Sequence, residues 1–230
     1  ILGNLCTRKF SFCAIRQGTP EPPDFDEPLR LAGAVEKLTL SHVVITSTTR
    51  DDLADGGAGV FARTIEAIRS IKGDTTIEVL VPDFGGDSEA IEKVIAAKPH
   101  VFSHNVETVP RLYSIVRNGA DYQRSLYVLA HAKKINKDIF TKSGIMLGLG
   151  ESAQEVRDVF GDLRQQGCDF LSIGQYLAPS SHHYPVKEYL RPEQFEWYRK
   201  EALSAGFRSV ESGPYVRSSY IASNYLTRES

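Results

Sequence analysis

Short apolar runs alternate along this chain with longer stretches whose apolar residues recur at helical spacing. Five runs read as strands: His42-Val43-Val44-Ile45-Thr46-Ser47, Thr76-Ile77-Glu78-Val79-Leu80-Val81, Val101-Phe102-Ser103-His104-Asn105, Gly144-Ile145-Met146-Leu147-Gly148 and Phe170-Leu171-Ser172-Ile173-Gly174. They are short and mostly apolar, as strands covered on both faces are. Ile1-Leu2 reads as the stub of an earlier strand. Between the runs, residues 28–40 carry Leu31, Val35 and Leu38, residues 58–71 carry Phe61, Ile65 and Ile68, and residues 88–97 carry Ile91, Val94 and Ile95. That spacing lines one face of a helix. Residues 121–135 and 153–166 continue the pattern, the latter opened by Ser152 and Glu155 as a capping box. From Tyr189 onward the pattern predicts one helix and then an irregular tail.

Strand–helix alternation of this kind predicts an α/β fold with a parallel sheet. The number of units favours a barrel or partial parallel (β/α) barrel over an open doubly wound sheet, and no G-x-G-x-x-G follows the first strand. Barrels carry their chemistry at the C-terminal ends of the strands. The polar groups expected there are the Cys6 loop, Thr46-Ser47 with Arg50-Asp51-Asp52, Asn105 with Glu107, Lys142, and Gln175-Tyr176.

Composition narrows the classes. With 230 residues, 41% hydrophobic and 24% charged, the chain reads as one domain over 1–230. Its 27 basic and 29 acidic residues give a net charge of −2, with no nucleic-acid footprint and no polybasic membrane patch. No apolar run approaches the roughly 18 residues that span a bilayer. Three cysteines, Cys6, Cys13 and Cys168, are too few and too odd for a disulfide framework, which suits a reducing compartment. The opening Ile1-Leu2-Gly3, without a methionine, reads as a fragment or a processed product.

The loop Gly3-Asn4-Leu5-Cys6-Thr7-Arg8-Lys9-Phe10-Ser11-Phe12-Cys13 holds two cysteines seven positions apart. Two thiolates at that spacing could share a metal, but are too few for a usual iron–sulfur cluster. The loop resembles the C-T-R-x-C-x-F-C motif of lipoyl synthases, within the radical S-adenosylmethionine (SAM) enzymes. The resemblance runs on through Arg50-Asp51-Asp52-Leu53, Asp55-Gly56-Gly57-Ala58, Pro82-Asp83-Phe84, and His104-Asn105-Val106-Glu107-Thr108-Val109-Pro110. It continues in Gly119-Ala120-Asp121-Tyr122-Gln123-Arg124-Ser125-Leu126, Thr141-Lys142-Ser143-Gly144 and Gly148-Leu149-Gly150-Glu151. Ile173-Gly174-Gln175-Tyr176-Leu177 and the tail Val216-Arg217-Ser218-Ser219-Tyr220 complete it.

The resemblance implies a partial barrel of the radical SAM type that inserts two sulfur atoms into a protein-bound octanoyl chain. It implies SAM and a [4Fe–4S] cluster held by three thiolates, of which Cys6 and Cys13 are present and Phe10 takes the middle place. It implies Ser219 as a ligand of a second, auxiliary [4Fe–4S] cluster, whose cysteines belong to a segment before Ile1. The implied partner is an octanoylated lipoyl-domain or glycine-cleavage carrier protein, in the cytoplasm or, in a eukaryote, an organellar matrix.

Several residues carry two readings. Glu107 and Asn105 fit a SAM pocket, a carboxylate accepting from ribose hydroxyls, or else cap a strand end. Arg124 fits the SAM carboxylate, since guanidinium grips carboxylates with two bonds, or a helix-surface ion pair. Ser47 and Thr48 could meet the SAM amino group. Gln175 and Tyr176 could meet adenine or simply pack. Arg8 neutralises the cluster loop or is a solvated arginine, and Arg50-Asp51-Asp52 reads as a rim ion-pair network. His182-His183 reads as solvated loop and Cys168 as a small buried residue. Phe10 offers no lone pair to iron, so the chain is expected to bind its radical cluster weakly. The competing function is a catalytically impaired relative that binds lipoyl-domain partners; a biotin synthase-like inserter is a more distant one, against which the R-S-S-Y tail speaks.

Overall fold

A computed structural model describes residues 1–220, 222, 223 and 225 of the chain. Its sheet is built from β3 (His42–Thr46), β4 (Thr76–Leu80), β5 (Val101–Ser103), β6 (Phe140–Leu147), β7 (Phe170–Gln175) and β8 (Ser209–Gly213). All neighbours are parallel and follow chain order, β3-β4-β5-β6-β7-β8. A doubly wound sheet reverses its order partway, whereas a sheet growing one strand at a time keeps every crossover on one side and curls. The result is the expected partial parallel barrel. A separate two-residue pair, β1 (Leu5–Cys6) with β2 (Arg16–Gln17), brackets the cysteine loop.

The helices cover the outer face. They are α1 (Glu27–Lys37), α2 (Ala58–Ile71), α3 (Ser88–Ala96), α4 (Tyr113–Val116), α5 (Tyr122–Ile135), α6 (Ala153–Gln165) and α7 (Pro192–Ser204). Ile65, Ile68, Ile91 and Val94 pack with Ile77 and Val79 of β4 in one core cluster. Val156, Val159, Phe160 and Leu163 pack with Leu171 and Ile173 of β7 in another. Burying each such side chain contributes about 1.5–3 kcal/mol. The capping box is present: the Glu155 amide donates to the Ser152 hydroxyl, and the Ser152 amide to the Glu155 carboxylate.

The buried faces of the sheet differ from the expectation of apolar strands. Thr141, Lys142, Ser143 and Glu78 are fully buried. The fourth strand run therefore begins at Phe140, four residues earlier than its apolar part. The tail expected to be irregular contains a sixth strand, Ser209–Gly213, paired along its length with β7. Ile1 forms no strand, but its amino group donates to the Thr46 carbonyl at the sheet edge. Beyond β8 the chain folds back onto the inner face: Tyr225 packs on Phe170 and its hydroxyl donates to the Leu171 carbonyl.

Candidate active site

The cysteine loop is fastened across the C-terminal ends of the first strands. The Thr7 amide donates to the Thr49 carbonyl at 3.0 Å, and the Ser11 amide to the Val116 carbonyl at 3.1 Å. Arg8 grips Asp51 with two bonds of 2.7 Å and reaches Asp83 at 2.9 Å. Burial works to raise the Asp83 pKa, but the Arg8 guanidinium outweighs it and holds the group at about 2. Arg8 is thus neither a solvated arginine nor a charge aimed at the cysteines; it staples the loop to the strand ends. Arg50 is likewise buried, paired with Asp52 at 2.8 Å, so the Arg50-Asp51-Asp52 network is structural as expected.

Two cavities open at this end of the barrel. One, of about 180 Å³, is lined by Cys6, Cys13, Phe10, Ser47, His104 and Arg117 among others. The second, of about 270 Å³, lies over the inner face against Gly144, Met146, Ser172, Val216, Ser218 and Ser219. Thr46, Leu80, Asn105 and Glu107 line both, so the cavities share a wall.

Glu107 is the centre of that wall. Its backbone is left-handed (φ 66°), a conformation that costs a residue with a side chain about 1–3 kcal/mol and recurs at functional sites. The strain is held by β6: the Glu107 amide donates to Gly144 O at 3.0 Å, and the Met146 amide to Glu107 O at 2.8 Å. Burial pushes the Glu107 carboxyl up, against the pull of the nearby Arg117 charge and the Asn105 bond. Asn105 Nδ2 donates to Glu107 Oε1 at 3.0 Å and to Ser218 Oγ at 2.7 Å. A Cβ on Gly144 would come within 2.8 Å of the Asn105 amide oxygen, so a glycine there keeps the wall in place.

Three buried polar atoms around this wall lack a hydrogen-bond partner: Ser47 Oγ and Arg117 Nε, whose residues line the cysteine cavity, and Asn105 Oδ1, which faces Gly144 of the other. Buried polar groups are otherwise almost always satisfied, so this set marks a place for a polar ligand. The structure therefore brings Cys6, Cys13, Ser47, Asn105 and Glu107 together, with Ser219 on the far side of the wall. Thr48 lines the same cavity but turns its hydroxyl to the Leu2 carbonyl at 3.4 Å.

Two expected residues stand elsewhere. Arg124 is outside the lining of both cavities and bonds Asp83 at 3.3 Å, half-exposed on α5. Gln175 is buried and lines neither cavity: the carbonyls of Leu147, Tyr176 and Glu188 share the two N–H groups of Nε2, and Oε1 accepts from the Leu190 amide. It knits residues 188–190 to the sheet, away from both cavities. Tyr176 is buried too, its hydroxyl donating to the Tyr184 carbonyl.

Arg117 and His104 were not foreseen. Arg117 is buried, its Nη1 donating to Tyr113 Oη at 2.9 Å and Ser125 Oγ at 2.7 Å, and its Nη2 lies 3.5 Å from His104 Nε2. The one signal was a cation closing the apolar turn Tyr113-Ser114-Ile115-Val116. His183, expected as solvated, directs Nε2 to the Cys13 carbonyl at 3.2 Å. Cys168 is buried beneath the sheet, its thiol pushed up to about 12 mainly by burial, as expected of a packing residue.

The donor set of the loop does not fit a three-thiolate cluster. Cys6 and Cys13 face one cavity, and burial raises the Cys13 thiol. The middle place presents the Phe10 ring, stacked on Phe12 at 5.5 Å. Among the described residues, no three His, Cys, Asp or Glu side chains are grouped to hold a metal ion. None of the described helices is long and apolar enough to cross a membrane.

Known proteins match this arrangement. The Radical SAM superfamily model matches residues 1–163. Lipoyl synthase of Trichlorobacter lovleyi is 61% identical over 226 residues, covering 98% of this chain and 80% of that protein. Lipoyl synthase of Caldicellulosiruptor saccharolyticus is 57% identical, covering 96% and 78%. Among solved structures, methylornithine synthase (PylB) superposes with a TM-score of 0.66 at 14% identity, covering 94% of this chain and 71% of that one. The maturase HydG superposes with a TM-score of 0.68 at 14% identity, covering 90% and 54%. These two share the fold, while the sequence relatives, more than half identical over nearly all of this chain, decide the family: the chain is a radical SAM protein of the lipoyl synthase family.

Proposed function

We propose that the two joined cavities are where this lipoyl synthase-family chain holds SAM and the octanoyl chain of a carrier protein. The observation that carries the reading is the shared wall of Asn105 and Glu107, with a cysteine pair on one side and the tail serines on the other. The unpartnered atoms of Ser47 and Arg117 suit a polar ligand on the cysteine side. Glu107 accepts from ribose hydroxyls there. Arg117, already on the cavity, is better placed than Arg124 for the SAM carboxylate. On the other side Leu80, Ile145, Met146 and Val216 supply an apolar lining for an alkyl chain, with Ser219 beside it as the auxiliary-cluster ligand. An octanoylated lipoyl domain or glycine-cleavage carrier protein presents that chain. The protein's own contribution is to seat both molecules in register and to keep water from the reacting carbons. The close family match favours this reading over a non-catalytic lipoyl-binding relative.

Phe10 sets the level of activity. With two thiolates in place of three, the chain holds its radical cluster weakly. Reconstitution with iron and sulfide, read by Mössbauer spectroscopy, is expected to give substoichiometric cluster. A full, stable [4Fe–4S] signal with SAM cleavage in the unaltered chain would overturn this.

A further inference from the structure

Lys142 and Glu78 form an ion pair whose side chains are completely enclosed, 0% and 1% exposed. Lys142 Nζ donates to Glu78 Oε1 at 2.9 Å and Oε2 at 3.2 Å. Its third bond goes to the Ser218 carbonyl oxygen at 2.5 Å. An ammonium has three N–H groups, so all are used. Ser103 Oγ donates to the Glu78 carboxylate at 2.8 Å, and the Tyr225 ring lies 4.4 Å from Nζ.

A pair of this kind is a poor investment for stability alone, because desolvating two charges offsets most of their attraction and apolar residues of the same volume often do as well. What apolar residues could not do is bind the tail. Two other contacts act on the same segment. Asn105 Nδ2 donates to Ser218 Oγ, and Gly174 leaves room for the Val216 carbonyl, which any Cβ there would strike. Ser218 is thus fixed by main chain and side chain, while its neighbour Ser219 lies exposed on the cavity.

We infer that the Lys142–Glu78 pair is a positioning device that pins the Arg217-Ser218-Ser219-Tyr220 segment to the inner face of the sheet and so sets where Ser219 stands. The pair belongs to the sheet and takes no part in the cysteine loop. Its bearing on catalysis rests on the reading of Ser219 as an auxiliary-cluster ligand; its hold on the segment does not.

Hydrogen exchange of the 230-residue chain tests it. In the parent, the Tyr220 amide, bonded to the Arg217 carbonyl at 2.8 Å, is expected to be protected; exchange there at the rate of an open chain would overturn the inference without any variant. Lys142→Met strands a buried carboxylate and lowers Tm. The double variant Glu78→Gln/Lys142→Met removes both charges and regains most of that Tm. In it, amides of residues 216–220 are expected to exchange about tenfold faster or more, while α2 and α3 keep their protection. Parent-like exchange of the segment in a folded double variant would sink the proposal. Ser219→Ala separates the two readings. It leaves this exchange unchanged and is expected to lower the iron bound by the full-length protein after reconstitution with iron and sulfide. Unaltered iron there would sink the ligand reading and leave the anchor standing.

Discussion

The guanidinium of Arg117 lies over the ring of Phe10, 5.5 Å from its centroid. The same ring stacks on Phe12 with planes 10° apart. Phe10 is therefore integrated into the loop it deprives of a ligand. Phe10→Cys is expected to cost about 1–2 kcal/mol in the iron-free protein, from the stacking and cation–π contacts together. After reconstitution the same variant should bind more iron than the parent. Thermal melts before and after loading, with iron analysis, check both signs; equal iron in parent and variant would count against the ligand role of position 10.

Asp83 couples the loop to the strand ends, and its folded pKa is depressed to about 2. A depressed carboxyl contributes stability above its unfolded pKa of 3.8 that is lost as pH falls through about 2. The side chain is fully enclosed, so solvent screens the pair little. Asp83→Asn should therefore be less stable than the parent by about 2 kcal/mol at pH 7 and draw level with it near pH 2. Urea unfolding of both proteins across that range measures the difference.

His104 titrates in the opposite sense to a paired histidine. Burial, then the Arg117 charge, lowers it to about 4, so it is neutral in the fold. The unfolded chain binds a proton below about 6.5 that the folded chain refuses. Stability is thus complete above pH 6.5 and is lost as pH falls toward 4, by on the order of 3 kcal/mol from this residue. His42, also lowered to about 4 by burial, adds to the same limb. His104→Asn should flatten the pH dependence of unfolding between pH 4 and 6.5; an unchanged slope would show that His104 is already protonated in the fold.

Gly174 faces the Val216 carbonyl so closely that a methyl group cannot be accommodated without moving the tail. Overpacking of this kind costs about 1–3 kcal/mol. Gly174→Ala should retain the sheet and release the tail, so that trypsin cuts after Arg217 several-fold faster than in the parent, by the link between local opening and proteolysis. Circular dichroism reports the sheet and mass spectrometry the cut.

Most elements could be read directly from the chain because their apolar residues obey one period. The helix of residues 58–71 was anticipated to the residue, since Phe61, Ile65 and Ile68 all face the sheet. The strand Ser209-Val210-Glu211-Ser212-Gly213 was not, because Val210 is its single large apolar side chain and the strand owes its existence to pairing with β7. Phe140-Thr141-Lys142-Ser143 lies outside the apolar run of the fourth strand for a related reason: its polar groups are buried against partners more than twenty residues away. Site residues followed the same division. Cys6, Cys13, Asn105 and Glu107 stood in recognisable words beside strand ends. Gln175 stood in such a word too, yet its amide is consumed by carbonyls that only the folded chain brings near. Arg117 carried no local mark, because its importance comes from what packs around it.

The wall of Asn105 and Glu107 has a thermodynamic consequence. A side chain that borders two chambers belongs to the binding free energy of both. A guest that reorients Glu107 from the cysteine side changes the affinity of the opposite chamber for its own guest, and the factor is the same in either direction. The bond from Asn105 to Ser218 brings the tail into the same linkage, so a guest that alters that bond alters the order of the tail, and the order of the tail alters the guest's affinity by the same factor. Arrival of one reactant is in this way felt by the other before either has reacted.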